Sequence, residues 1–143
     1  MKLLLIDDNR SLTTLLSRAL KKLGYDPSAE NNALNAVSAV KNLKPDLIIL
    51  DLDMPYKSGL EIYGELKLDT RTAKIPVIML ASLSMPGAVR AEVFGCDVIS
   101  KPAKLEDLHD IIERNLSSKS SRTELVPTPS NQQKREVYEN ILQ

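Results

Sequence analysis

Two runs of consecutive aliphatic residues, Leu3-Leu4-Leu5-Ile6 and Leu47-Ile48-Ile49-Leu50, constrain this chain more than anything else in it. A strand with one wet face alternates apolar and polar residues. A run with no polar position suits a strand covered on both faces. A third such run, Val77-Ile78-Met79-Leu80-Ala81, opens after Pro76. Between the runs, apolar residues return at three- and four-residue steps, the helical period. Leu12, Leu15, Leu16, Ala19, Leu20 and Leu23 predict one helix, stopped by Gly24. Ala33, Leu34, Ala36, Val37 and Val40 predict a second, and Leu60, Ile62, Tyr63 and Leu66 a third over Gly59–Leu68. A weaker pattern over residues 88–94, ended by Gly95, predicts a fourth, and Leu105, Leu108, Ile111, Ile112 and Leu116 mark the last. Residues 25–30 and 98–100 complete the strands; Pro27 lacks an N–H and confines the first of these to a sheet edge.

Strand and helix thus alternate five times. That order predicts an α/β fold, a five-stranded parallel sheet with helices on both faces and right-handed crossovers. In such sheets the reactive site lies at the carboxyl ends of the strands.

With 143 residues the chain suits one domain, and its 43% hydrophobic content is enough for a real core. Four Tyr, Phe94 and no Trp make that core aliphatic. Lys plus Arg equals Asp plus Glu at 19 each, so bulk charge supports neither direct nucleic-acid binding nor an anionic membrane surface. Cys96 is the only cysteine, which allows no internal disulfide and fits a reducing cytoplasm. The first apolar run is too short for a secretion signal, and no stretch is long enough to span a bilayer. The expected location is the cytoplasm. After a domain over residues 1–116, residues 117–130 read as a linker and 131–143 as a helical tail or the start of a following region. That tail carries Val137, Tyr138, Ile141 and Leu142 as its apolar stripe, to pack on the domain or on a second copy as a homodimer. It is too short for a helix-turn-helix module.

The strand ends carry the chemistry. Asp7 and Asp8 end the first strand, Asp51 the middle one and Ala81-Ser82 the third; Lys101-Pro102 follows the last. Three clustered carboxylates repel and resist ionisation. Mg²⁺ relieves the conflict and commonly joins one or two carboxylates to a phosphate. A nearby lysine neutralises phosphoryl oxygens, and an aspartate at such a metal can accept the group covalently.

These motifs resemble the receiver domain of two-component response regulators, whose fold is that of chemotaxis regulators. The resemblance rests on Leu5-Ile6-Asp7-Asp8-Asn9, on Asp46 to Pro55 with Gly59 following, on Ile75 to Leu80, and on Lys101-Pro102. It covers roughly residues 1–116. It implies a flavodoxin-like, doubly wound sheet in the order 2-1-3-4-5. It implies Asp51 as phosphoacceptor, Asp7, Asp8, Asp51 and the Asp53 carbonyl as the Mg²⁺ shell, and Lys101 at the phosphoryl group with a cis bond to Pro102. The implied phosphodonor is a sensor histidine kinase or phosphotransfer protein, and the output a protein–protein contact.

The chain departs from the family at two positions. The usual hydroxyl residue after the third long strand is Ala81, with Ser82 next, and the usual aromatic three before the Lys-Pro pair is Val98. Alternation along the strand turns Ser82 away from Asp51 unless the strand ends early or bulges. Ser82 is therefore the candidate hydroxyl only under that condition. Three alternatives stand beside the main reading: a receiver fragment of a larger regulator or kinase, a constitutive pseudo-receiver binding module, and a haloacid-dehalogenase-type phosphatase, whose strand-Asp-x-Asp opening Leu47–Asp53 imitates. Asp53 reads as a site-rim or simply exposed side chain, His109 as a surface residue and Cys96 as packing.

Overall fold

The computed structural model describes residues 1–82 and 96–117. Five parallel strands form one sheet in the order β2-β1-β3-β4-β5. They are β1 Lys2–Ile6, β2 Asp26–Glu30, β3 Leu47–Asp51, β4 Val77–Ala81 and β5 Asp97–Ser100. The described helices are α1 Arg10–Lys22, α2 Ala36–Leu43, α3 Gly59–Leu68 and α4 Leu105–Ser117. A short 3₁₀ turn over Ala33–Asn35 leads into α2. The predicted helix at 88–94 and the tail beyond residue 117 lie outside the described residues. Ser117, placed in the linker by composition, is the last residue of α4.

The uninterrupted aliphatic runs occupy the centre of the sheet because a strand with neighbours on both edges and helices on both faces has no wet position. β3 and β4 are buried along their whole length. Pro27 sits on β2, the edge its missing N–H demands. Alternation splits the core in two. Leu4, Ile6, Ile48, Leu50, Leu52, Met79 and Ala81 pack with residues of α2 and α3. Leu3, Leu5, Leu47, Ile49, Ile78, Leu80 and Ile99 pack with Leu20 of α1 and with Leu108 and Ile112 of α4. Each fully buried Leu or Ile contributes about 1.5–3 kcal/mol.

Local chemistry fixes the helix ends. Asn9 caps α1 by accepting the Leu12 N–H at 3.1 Å, and Gly24 leaves the helix at φ +97°, a backbone that favours glycine. Ser58 caps α3 by accepting the Glu61 N–H at 3.2 Å. The apolar face of α1 differs from the predicted stripe. Leu15 is 66% exposed, whereas Thr13 is buried. Thr13 is tolerated there because its hydroxyl donates to the Arg10 carbonyl and accepts from the Asn31 amide.

Candidate functional site

Asp7 continues the alternation of Leu3 and Leu5 one step past β1 and is buried. Its Oδ1 accepts the Asn9 N–H at 3.0 Å, so the residue that caps α1 also pins this carboxylate. The Asn31 amide donates to the Asp7 carbonyl at 2.7 Å and ties the end of β2 to the same corner. Asp7 Oδ2 is buried with no hydrogen-bond partner. Burial pushes the Asp7 pKa up to about 6; the neighbouring Asp51 charge adds to the rise, while the Asn9 N–H and Lys101 oppose it.

Asp51 ends β3 opposite Leu80 and is only 1% exposed. Its Oδ1 accepts from Lys101 Nζ at 2.6 Å and from the Asp53 N–H at 3.1 Å. The loop after it is drawn tight. The Leu52 N–H donates to the Leu80 carbonyl at 3.0 Å, and the Gly59 N–H to the Leu52 carbonyl at 3.2 Å. A Cβ on Gly59 would lie 2.4 Å from the Asp51 carbonyl oxygen and 2.7 Å from Leu52 Cα. Only glycine lets the start of α3 approach β3 this closely.

Lys101 reaches the site from the end of β5. Its N–H donates to the Ala81 carbonyl at 2.9 Å, its side chain is 31% exposed, and its bond to Pro102 is cis, as the resemblance implies. Register explains the convergence. Leu5 pairs with Ile49, Asp51 with Leu80, and Leu80 with Ile99. Asp7, Asp51 and Lys101 therefore fall on one side of the sheet, the side of α1 and α4.

The same register places Ser82. β4 ends at Ala81, where the sequence placed its end, and Ser82 carries the parity of Leu80 and, through the register, of Asp51, so the expected turn of Ser82 away from Asp51 is corrected by the pairing of the two strands. Ala81 is buried in the opposite core, with Val98 packed against that core from its rim. Asp53 has an exposed side chain. His109 does not join the site; its ring meets Tyr25 edge-on at 5.9 Å. Cys96 packs at the edge of the core, its Sγ 2.9 Å from the Val77 carbonyl, and burial pushes its thiol up to about 12.

Asp7, Asp8 and Asp51 each offer a carboxylate oxygen, all within 4.8 Å of one another. Hard oxygen donors at that spacing, one of them buried and unpartnered, fit a divalent cation of the Mg²⁺ class. Sequence reasoning named these acids and missed their supports. Asn31 stands far from both Asp7 and Thr13 in the chain, and nothing in the sequence shows that its amide joins them. Tyr56, at φ +72° in the β3–α3 loop, was also missed.

Comparison with known proteins agrees with this geometry. Residues 3–113 match the family described as response regulator receiver domain. The chain belongs to that family. It is therefore a receiver domain of two-component signalling, and the phosphatase alternative falls away. It is 33% identical over 112 residues to the DNA-binding dual master transcriptional regulator RpaA of Synechocystis sp., covering 75% of this chain and 45% of that protein. It is 34% identical over 119 residues to hybrid signal transduction histidine kinase G of Dictyostelium discoideum, covering 80% of this chain and 4% of that protein. The chain thus spans less than half of either relative. Among solved structures, the signal receiver domain of a signal transduction histidine kinase from Syntrophus aciditrophicus superposes with a TM-score of 0.75 at 33% identity, over 88% of this chain and 96% of that one. No described helix is long and apolar enough to cross a membrane.

Proposed function

We propose that Asp51 of this receiver accepts a phosphoryl group from the phosphohistidine of a sensor histidine kinase or phosphotransfer protein. One observation carries the reading: a carboxylate 1% exposed, with an ammonium at 2.6 Å and two further carboxylates close by. Such a group is aimed by its surroundings and pays little to reorganise. Asp7, Asp8, Asp51 and the Asp53 carbonyl would hold Mg²⁺, which when bound neutralises the acids and the incoming phosphoryl oxygens. Lys101 stands at Asp51 to take the phosphoryl charge, and the Asp53 N–H fixes the carboxylate plane. Ser82, on the parity of Asp51, is the hydroxyl that would meet the phosphoryl group in place of Ala81.

The test is intact mass after incubation with acetyl phosphate and Mg²⁺. One added phosphoryl group is expected, absent in Asp51→Asn and absent without Mg²⁺. No adduct, together with no binding of beryllofluoride, would favour a constitutive binding module instead. That second reading draws on Ala81, which is locked in the core, and on Val98, which offers no aromatic ring to swing. The output in either case is a protein contact, with no direct nucleic-acid contact by this domain.

A further inference from the structure

Bordering the acidic centre through Asp8 lies a cavity of about 330 Å³ lined by Asp8, Asn31, Asn32, Leu34, Pro55 and Tyr56, with Ala33 in its wall. Its rim is apolar and exposed: Tyr56 is 88% and Leu34 61% exposed. Tyr56 is held out by its backbone. The Lys57 N–H donates to the Pro55 carbonyl at 2.9 Å across Tyr56 at φ +72°. Three-residue turns with positive φ are rare and strained, and a bulky aromatic is among the least suited residues for one. Nothing in the packing of the core uses the ring. The turn spends strain to stand an aromatic face over a cavity that shares Asp8 with the acidic centre.

We propose that Tyr56 is a specificity residue for the phosphodonor, stacking on the imidazole ring from which the phosphoryl group departs; this rests on Asp51 being the acceptor. An imidazole is flat, aromatic and of a size the cavity admits. When its phosphoryl group lies at Asp51, the ring lies just outside the acidic centre, and the cavity that borders that centre through Asp8 carries Tyr56 and Leu34 as apolar surface. In the transfer, the P–N bond breaks with its electron pair returning to the ring nitrogen, and a P–O bond forms to an Asp51 carboxylate oxygen. The donor ring enters protonated on its other nitrogen, as an imidazolium, and leaves as neutral imidazole carrying that proton. A donor without a ring, such as acetyl phosphate, gains nothing from Tyr56.

The experiment compares monophosphoimidazole with acetyl phosphate as donors to the full chain in Mg²⁺, reading the rate of adduct formation. The quantity of interest is the ratio of the two rates. Tyr56→Ala is expected to lower that ratio roughly three- to tenfold, the range an aromatic pair's worth implies. Tyr56→Phe keeps the ring and should keep the ratio within about twofold of the parent. Alanine is as strained at this φ as tyrosine, so the turn itself is not relieved. An unchanged ratio in Tyr56→Ala, whether both rates fall together or neither moves, overturns the proposal. If the parent takes phosphate from neither donor, the acceptor reading fails first, and that outcome is distinct.

Discussion

The two faces of the sheet do different work. On the α2/α3 side, alternation ends in Leu52 and Ala81, and the core runs up to the tips of the strands. On the α1/α4 side, the same alternation ends in Asp7, Asp51 and Lys101, so at the ends of β1, β3 and β5 a charge takes the place of an aliphatic side chain. One face anchors the strand ends by packing; the other spends its last positions on chemistry. A buried charge needs a rigid surround, or it draws in water and loses its bias. The packed face supplies that rigidity, and Gly59 is where it presses on the end of β3.

The comparison is broken most severely by weakening the packed face. Leu50→Ala is expected to lose about 2–5 kcal/mol in urea denaturation, because a fully buried leucine between two neighbouring strands leaves a cavity that cannot collapse. Gly59→Ala should cost about 1–3 kcal/mol, since the atoms its methyl meets are backbone. It should also weaken Mg²⁺ binding by displacing Asp51, which metal titration would show. A stability loss with unchanged Mg²⁺ affinity would mean the two faces are not mechanically joined.

The charged face is sharpened by Asp7. Its pKa is raised from the ordinary 3.8 to about 6 by burial first and by the Asp51 charge second. A raised folded-state value favours the protonated form, so in Mg²⁺-free protein this contribution to stability is complete below pH 3.8 and is lost as pH rises through about 6. Asp7→Asn should therefore stabilise the metal-free protein at pH 7 by about 1–3 kcal/mol, measured by thermal or urea unfolding. It should remove most of the stabilisation that Mg²⁺ gives the parent. A variant less stable than the parent without metal would contradict the burial account.

The smallest effect tests the tie between the α1–β2 connection and α4. The Tyr25 hydroxyl donates to Glu113, and burial, with that carboxylate, pushes the phenol well above its usual range. Tyr25→Phe should cost about 0.5–1.5 kcal/mol and leave acetyl phosphate labelling intact. A loss of labelling would show that this latch, remote from the strand ends, reaches the site.

The aliphatic runs determined a parallel sheet with two buried faces, because no strand with a wet side can be apolar at every position. The order of motifs, with Pro27 on an edge, determined which acids meet at the strand ends. The stripe of α1 was misread at Leu15 and Thr13, since periodicity counts apolar residues and cannot see the Asn31 amide that makes a threonine welcome inside. The two-sided division of the site was also out of reach, because it depends on register. Pairing Asp51 with Leu80 sets which side Ser82 shares, and sequence alternation within one strand says nothing about the phase of its neighbour. Tyr56 was invisible for a related reason: a positive φ is the outcome of a loop closed at both ends by β3 and α3, and only the folded chain closes it.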